Sequence, residues 1–462
     1  MRGLVDAFDL LRRTWRAGGP ALFLDGAASS DTAASPSHAA GGEAAAAPAL
    51  RRWSYLALDP SAALCIREGE AWWREGEDAW TRVEGSACDL LRRLHAPGPA
   101  VEGVPFPHGV AGVASYEAGR LVERLPSTAV DDTALPWLLF FRFDAVWAQP
   151  LGGPPVLHAR SAAAPPLHSP DGEAERRVAI GQIEPQLSPK EFEAMVVRAK
   201  ALVRAGEVFQ VNLSHRLECD VEGSPLDLYA RLRAVNPAPF SAFFSSGPLP
   251  WDEEGFTLLS SSPERLFTLR GGRLEARPIA GTRRRDADPL ADAALMRELR
   301  ADPKEQAEHV MMVDLARNDL GRVARYGSVR VPDMLTVETY RTVHHLVSVV
   351  EAQLAEGKDW VDALRALFPG GTITGAPKVR AMEVIEELEP VRRGAYTGSL
   401  GWVGPAGDCD FSILIRTICL RKGRAHLQVG AGIVEESDPR REYEETLAKA
   451  MGLLLALGRD PP

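Results

Sequence analysis

The order of strand-like and helix-like segments in the second half of this chain limits the folds it can adopt. A helix is predicted after Ser188, a good N-cap that is followed by Pro189 at the first helical position. Strands, two helices, more strands and a last helix follow, without the regular alternation of strand and helix that a parallel sheet needs. The pattern predicts an α+β fold with layered antiparallel sheets. The predicted strands cover residues 208–218, 241–244, 258–260, 266–270, 273–277, 396–403, 411–420 and 425–430, and the predicted helices 188–205, 291–300, 304–315, 379–388 and 440–457.

The first part of the chain is predicted to contain strands with one helical segment. Two stretches, 27–47 and 161–175, are poor in bulky apolar residues, so we expect loops or linkers that lack the hydrophobic mass to offset ordering entropy. The predicted organisation is an N-terminal region over 1–160, a linker over 161–187 and a C-terminal region over 188–458. The N-terminal strands are predicted at 22–24, 53–58 and 137–143, and the helix at 87–95.

Charge and hydropathy argue against two classes of partner. The 53 basic and 63 acidic residues give a formal charge of −10, which makes nucleic acid an unexpected partner. No run approaches the ~18 apolar residues of a membrane span, and acids stand where a signal peptide needs an apolar segment. We therefore expect a cytoplasmic protein without a membrane partner. The five cysteines are scattered and show no CxxC spacing, which indicates reduced thiols.

Two pairs of glutamates have the spacing of a shared helix face. Glu305 and Glu308 are three residues apart, as are Glu442 and Glu445. If the two faces met, four carboxylates would converge, an arrangement suited to a hard cation with oxygen ligands, of which Mg²⁺ is the natural candidate. The alternative is that both pairs lie on solvated helix faces, where glutamate is abundant.

Three further features suggest contact with an anion. The glycine-rich stretch 370–378 precedes a predicted helix and could present backbone N–H groups to a carboxylate, although it lacks P-loop spacing. Arg416 lies in an apolar, strand-like run, which favours either a carboxylate clamp or an internal salt bridge. Gly430 and Gly432 would allow close backbone approach to a ligand, or form a turn.

Taken together, these stretches closely resemble the chorismate-utilising enzyme family. The resemblance covers about residues 188–458, and a weaker match appears at GVAGVASYEAGR (109–120). It implies one large α+β unit of two packed antiparallel sheets flanked by helices, which binds chorismate and Mg²⁺. The stretches that carry it are GEVFQVNLS (206–214), SSPER (261–265), RPIAGTR (277–283), KEQAEH (304–309), VDLARNDLGR (313–322), VHHLVS (343–348), TITGAPKVRAME (372–383) and GAGIV (430–434).

The resemblance also implies a role for each matched position. Glu308 and Glu445 would be metal ligands, whereas Glu305 and Glu442 would hold metal-bound waters. Glu264 would be the general acid that protonates the departing C4 hydroxyl, a role that needs a carboxyl kept protonated by its site. The remaining roles are substrate contacts: Arg416 and Tyr396 with the enolpyruvyl carboxylate, the Gly430–Gly432 backbone and Lys449 with the carboxylate region, and His345 and Thr372 with the ring.

Gln210 and Ala280 bear on the reaction. Family members that add water have a lysine base where this chain has Gln210, and because glutamine cannot abstract a proton from water, ammonia is the expected nucleophile. No GxCxG nucleophile stretch is present, so a separate glutamine amidotransferase subunit would supply the ammonia. Ala280 occupies the position of a nucleophilic lysine in one class of aminodeoxychorismate synthases, and alanine there is the anthranilate synthase pattern.

Other stretches resemble the aminodeoxychorismate branch. They are QVNL (210–213), NPAPFSAF (236–243), VHHLVS (343–348) and TITG (372–375), and the LLES-type tryptophan-sensing stretch of anthranilate synthases is missing. The resemblance therefore favours the formation of 4-amino-4-deoxychorismate, an intermediate on the way to p-aminobenzoate and folate. Anthranilate formation is the alternative, and a noncatalytic chorismate-binding homologue is a third possibility.

Overall fold

A computed structural model of the chain describes residues 6–26, 53–160, 178–340 and 343–459. The stretches 27–47 and 161–175, predicted as loops or linkers, lie outside these described residues. None of the helices within the described ranges is long and apolar enough to span a membrane.

The helices and strands are numbered here in chain order. The helices are α1 (Ala7–Thr14), α2 (Ala87–Leu94), α3 (Pro189–Arg204), α4 (Pro225–Val235), α5 (Pro289–Ala301), α6 (Pro303–Gly321), α7 (Trp360–Leu367), α8 (Lys378–Leu388) and α9 (Pro439–Ala456). The strands of the first half are β1 (Pro20–Asp25), β2 (Trp53–Leu58), β3 (Ala62–Arg67), β4 (Glu70–Glu75), β5 (Thr81–Val83), β6 (Gly109–Ala114), β7 (Leu138–Phe143), β8 (Ala145–Pro150), β9 (Val156–Ala159), β10 (Ala179–Ile180), β11 (Glu184–Pro185) and β12 (Gln210–Glu222). Those of the second half are β13 (Phe240–Ser246), β14 (Thr257–Ser262), β15 (Arg265–Arg270), β16 (Arg273–Ala276), β17 (Ile279–Arg284), β18 (Arg330–Thr339), β19 (Val343–Gln353), β20 (Gly375–Ala376), β21 (Ser399–Val403), β22 (Cys409–Ile413), β23 (Thr417–Arg421) and β24 (Arg424–Ile433).

The strands form two large sheets. The first has the order β10-β12-β24-β23-β14-β13-β1-β2-β8-β9, with β11 and β20 also paired to β12. The second has the order β17-β19-β16-β15-β22-β21-β6-β7-β3-β4-β5, with β18 paired to β19. Neighbouring strands pair antiparallel, as between β12 and β24 or β21 and β22. The predicted α+β fold with two antiparallel sheets is confirmed.

Both chain regions contribute strands to both sheets. In the first sheet, β1 pairs with β13, and Leu22 lies opposite Phe244. In the second sheet, β6 pairs with β21, and Gly112 lies opposite Gly401. The predicted boundaries at 160 and 188 stay a prediction, but the strands on either side of them share the same ladders.

Apolar side chains fill three layers around and between the sheets. Between the sheets, Phe244 of the first packs in one cluster with Phe141 and Trp402 of the second. Helices α2, α6 and α7 cover the outer face of the second sheet, where Phe411 is fully buried. Helices α1, α4 and α9 cover the outer face of the first sheet, and α3 and α8 pack beside β12 and β24. The helices therefore flank the two sheets, as predicted.

Capping residues fix where the functional helices begin. Ser188 caps α3, as predicted, and its hydroxyl accepts from the Glu191 N–H while the Glu191 carboxylate accepts from the Ser188 N–H at 2.8 Å. Asp302 caps α6 and Asp438 caps α9, each followed by a proline. These caps place both glutamate pairs within the first two turns of their helices, with Glu305 and Glu442 in the first turn.

One predicted strand is wrong in its extent. The run 411–420 was predicted as a single strand, but it divides into β22 and β23, and Arg416 between them has a positive φ of 49°. The division arises because the chain leaves the second sheet after β22 and enters the first at β23. Strands β18 and β19 were not predicted from the sequence.

Candidate active site

The candidate site lies where the chain crosses twice between the sheets. Glu264 connects β14 of the first sheet to β15 of the second, and Arg416 lies in the return from β22 to β23. The two crossings are hydrogen-bonded to each other: the Ile413 N–H donates to the Glu264 carbonyl at 3.0 Å, and the Ser261 N–H to the Arg416 carbonyl at 3.0 Å. Residues far apart in sequence are thus brought together.

The carboxyl group of Glu264 is buried and partly protonated near neutral pH. Burial raises its pKa to about 7 from 4.5, and the Thr372 hydroxyl and the charges of Arg416 and Lys449 oppose that rise. Thr372 donates a hydrogen bond to Glu264 Oε1 at 2.6 Å. A buried carboxyl with this pKa can donate a proton at neutral pH, which a general acid requires.

The Arg416 guanidinium is held near Glu264 without a direct partner. Among the residues that the structure describes, it makes no hydrogen bond or ion pair, so the predicted alternative of an internal salt bridge is not found there. Burial lowers its pKa, and the Glu264 charge partly offsets that effect. A half-buried cation without a protein anion favours binding of an anionic ligand.

Gly430 and Gly432 lie within strand β24, so the alternative of a turn is wrong. A Cβ atom added to Gly432 would collide with Gln210 Nε2, and one added to Gly430 would lie 2.7 Å from Tyr396 Oη. Lys449 of α9 donates to the Gly430 carbonyl at 3.1 Å. Glycine at these two positions lets the Gln210 and Tyr396 side chains approach the strand backbone.

Gln210 and Tyr396 form neighbouring parts of the site wall. Gln210 Oε1 is buried and has no hydrogen-bond partner among the described residues, an arrangement that favours a bound donor. Burial raises the pKa of Tyr396, so its hydroxyl stays protonated and can donate. Both groups are therefore available to a ligand.

His345 and Ala280 lie on adjacent strands of the second sheet. His345 Nδ1 is hydrogen-bonded to Thr282 Oγ1 at 3.0 Å, and burial, with the charge of Arg416, lowers the pKa of His345 to about 4. The His345 ring is therefore neutral at ordinary pH.

Ala280 lies opposite Leu346 in the same pair of strands, next to an irregularity at Gly281. A Cβ atom on Gly281 would lie 2.8 Å from Glu305 Oε2, which brings this strand beside α6.

The four glutamates lie on two helices whose charged faces act on each other. Burial raises the pKa of Glu308 and of Glu442, and the Glu442 charge raises that of Glu308 further. Basic side chains neutralise three of these carboxylates. The ion pairs are Arg283 with Glu305 at 3.0 Å, Lys304 with Glu308 at 3.6 Å and Lys449 with Glu445 at 2.8 Å.

These carboxylates fit a hard cation by their chemistry. They supply the oxygen ligands that Mg²⁺ prefers, and their mutual repulsion is the cost that a bound cation would relieve. In the described part of the chain, no three acidic, histidine or cysteine side chains stand close enough together to hold a metal ion as they are. Binding would therefore require the Lys304 and Lys449 side chains to release Glu308 and Glu445.

The glycine-rich stretch 370–378 contributes to the site through Thr372. Lys378, by contrast, is buried and donates to Asp319 at 2.6 Å and to the Leu367 carbonyl at 3.3 Å.

Asn212 was not predicted as a site residue. Its Oδ1 atom would lie 2.8 Å from a Cβ on Gly430, and the alternation of side chains along β12 places it on the same face as Gln210.

Known proteins are similar to this chain over most of its length. A profile of a family described as chorismate binding enzyme matches residues 45–455. The chain is 38% identical over 430 residues to aminodeoxychorismate synthase component 1 of Bacillus subtilis (strain 168), covering 88% of this chain and 89% of that protein. It is 44% identical over 385 residues to anthranilate synthase component 1 of Thermus thermophilus, covering 80% and 81%. The crystal structure of anthranilate synthase component I from Streptococcus pneumoniae superposes with a TM-score of 0.75 at 31% identity, over 90% of this chain and 94% of that one.

The hydrogen bond from Thr372 should lower the pKa of Glu264, since it stabilises the ionised carboxylate. We expect Thr372→Val, which removes the hydroxyl at nearly constant volume, to raise that pKa above about 7. The measurement is a ¹³C NMR titration of labelled glutamate carboxyls, with the signal assigned by its loss in Glu264→Gln.

Thr268→Val is the matched control, because the Thr268 hydroxyl is also buried but donates to the Cys409 carbonyl at 2.8 Å. The control should leave the Glu264 titration unchanged. An unchanged or lower Glu264 pKa in Thr372→Val would contradict the assigned hydrogen bond.

Proposed function

The chain belongs to the chorismate-binding enzyme family, as its sequence predicts, and on this premise we propose that it aminates chorismate to 4-amino-4-deoxychorismate. The reaction would depend on Mg²⁺ and use ammonia from a separate glutamine amidotransferase subunit. The observation that carries the proposal is the protonatable Glu264 carboxyl beside the Arg416 guanidinium, which has no partner among the described residues.

The site offers a cation to each carboxylate of a dicarboxylate substrate. Arg416 and the Tyr396 hydroxyl would bind the enolpyruvyl carboxylate, which supplies the anion that Arg416 lacks. Lys449 and the backbone at Gly430–Gly432 would face the carboxylate on the ring. His345, neutral and buried, and Thr372 would contact the ring between them.

Glu264 would donate its proton to the C4 hydroxyl, which leaves as water. A first ammonia would add at C2 and give up a proton, so the carboxylate that Glu264 becomes can be reprotonated. A second ammonia would then add at C4 as the C2 amine leaves, so the net change is replacement of the C4 hydroxyl by an amine. Magnesium, when bound, would neutralise the ring carboxylate and withdraw electron density from the conjugated ring. The four glutamates on α6 and α9 are the residues that would hold it.

Gln210 and Ala280 support ammonia as the nucleophile and its direct addition. Gln210 is an amide and cannot act as a base toward water, but its unsatisfied Oε1 can accept a hydrogen bond from ammonia. Ala280 presents no amine that could attack the ring covalently. The similar relatives from Bacillus subtilis and Thermus thermophilus are both named component 1, which is consistent with a second subunit as the ammonia source.

Anthranilate formation is the second candidate. Ala280 favours anthranilate, because direct addition of ammonia at C2 is the simplest course when no lysine nucleophile is present. In addition, an anthranilate synthase component is 44% identical to the chain. A C4-aminated product would need either a second nucleophile or a second addition at C4.

The function is tested by incubating the purified chain with chorismate and Mg²⁺, supplying either ammonium or glutamine. We expect turnover with ammonium alone, and a product that keeps the enolpyruvyl group by mass spectrometry. Glutamine should support the reaction only after a glutaminase subunit is added, because the sequence has no GxCxG nucleophile stretch. A fluorescent product without the enolpyruvyl group would identify anthranilate instead, and chorismate binding without turnover would identify a noncatalytic homologue.

Glu264→Gln should lower kcat by about 10²–10⁴-fold with little change in substrate affinity, the usual scale for a positioned general acid. Because only the protonated carboxyl donates, kcat/KM of the unaltered enzyme should fall as pH rises through about 7, with free NH₃ held constant. The Glu264→Gln profile should lack this fall. A profile that is flat between pH 6 and 8 in both proteins would refute the assignment.

Glu308→Gln and Glu445→Gln should each weaken Mg²⁺ binding, measured by isothermal titration calorimetry, and abolish most turnover while the fold is kept. Glu444→Gln is the matched control, since Glu444 neighbours Glu445 on α9 but forms an exposed ion pair with Arg440 at 3.1 Å. Near-normal activity of either site variant at limiting Mg²⁺ would exclude the proposed coordination.

A further inference from the structure

Arg393 is a buried arginine whose five N–H groups are all hydrogen-bonded. Its side chain is 1% exposed. Nε and Nη2 donate to the two carboxylate oxygens of Glu389 at 3.0 and 2.7 Å. The remaining N–H groups donate to the Ile373 carbonyl at 2.9 Å, to Thr397 Oγ1 at 3.2 Å and to the Asn212 carbonyl at 2.7 Å.

Each of the last three acceptors, Ile373, Thr397 and Asn212, belongs to a segment that carries a residue of the candidate site. Ile373 directly follows Thr372, which donates to Glu264. Asn212 lies two residues after Gln210 on the same face of β12. The guanidinium therefore ties the loop beside Glu264 to the strand that carries Gln210.

The same guanidinium also fixes the segment that carries Tyr396. It lies over the Tyr396 ring at 5.5 Å from the centroid and over the Tyr116 ring at 4.9 Å. Thr397, which accepts from Arg393, donates its own N–H to the Leu414 carbonyl at 2.7 Å, two residues before Arg416. The contact thus extends to the crossing that holds Arg416.

Glu389 keeps the arginine in place and joins it to β12. Its side chain is 2% exposed, and its Oε1 also accepts from the Ser214 N–H and hydroxyl, each at 2.8 Å. Apolar side chains of similar volume often stabilise a core as well as a buried ion pair does, so stability alone does not account for this pair. A planar guanidinium with fixed donor directions can, however, hold several backbone segments in one arrangement.

We propose that Arg393, held by Glu389, is a positioning residue that fixes Thr372, Tyr396 and the Gln210 wall relative to one another. The inference rests on the proposed function, because it assigns Arg393 to the amination site. It acts through other residues: it orients the hydroxyl that Glu264 needs and the tyrosine that faces the substrate, without touching the substrate itself.

The test is Arg393→Lys, which keeps the charge but cannot serve five acceptors in a plane. We expect kcat/KM for chorismate with ammonium to fall by about 10²-fold, the scale of a misplacement of about 1 Å. The pH at which kcat/KM falls should move upward, because the hydrogen bond from Thr372 to Glu264 is weakened. A purely structural role would lower thermal stability without moving this pH.

Arg421→Lys is the matched control, because Arg421 forms a buried ion pair with Asp252 at 2.6 Å and is not hydrogen-bonded to any residue of the candidate site. It should lower the melting temperature while leaving the pH profile unchanged. Equal kinetics and equal pH profiles in the two variants would overturn the inference. Should Arg393→Lys fail to fold, Glu389→Gln, which keeps the shape but weakens the hold on Arg393, should move the pH profile in the same direction.

Failure of the proposed function can be told apart from failure of this inference. If the unaltered protein does not turn over chorismate, the function is wrong, and the inference is then judged from the ¹³C titration of Glu264 in Arg393→Lys. A raised Glu264 pKa there would support the positioning role without any turnover. An unaltered Glu264 pKa would reject it.

Discussion

The pair of backbone crossings between the two sheets is the constraint on which the site depends. A chain that leaves one sheet for the other must break its ladder, and β14 and β22 each end where this happens. Backbone groups at the two breaks hydrogen-bond to each other: the Ile413 N–H donates to the Glu264 carbonyl, and the Ser261 N–H donates to the Arg416 carbonyl. Their side chains are consequently held between the layers, where burial shifts the pKa of both.

Burial has opposite effects on the two charges, and this difference gives the site its chemistry. It raises the pKa of Glu264, which favours the neutral acid, and lowers that of Arg416, which remains a cation at any ordinary pH. A neutral acid does not neutralise a nearby cation, so Arg416 is left to an anionic ligand. His345 follows the same rule, because a buried ring beside Arg416 stays uncharged.

Much of the fold could be predicted from strand and helix patterns, because most elements carry their own local signals. Ser188 with Pro189 and the proline starts of α6 and α9 are examples. The break at Arg416 could not be predicted, since the apolar run 411–420 looks continuous and only the pairing of β22 and β23 with different sheets divides it. Arg393 could not be predicted either. Glu389 and Thr397 lie only four residues away, but the Ile373 and Asn212 carbonyls, which tie Arg393 to the site, are brought to it by tertiary structure alone.

The two candidate reactions differ in where ammonia approaches the ring, whereas both require the C4 hydroxyl to leave. Under the proposed function, Glu264 would serve that common step and Arg416 would bind the substrate, so both residues are expected whichever product forms. The residues that bear on the approach lie on opposite layers: Gln210 on β12 of the first sheet and Ala280 on β17 of the second. A few substitutions on these walls could redirect ammonia without altering the leaving step or the fold. The chain is in fact similar to relatives named for both products, with identities of 38% and 44%.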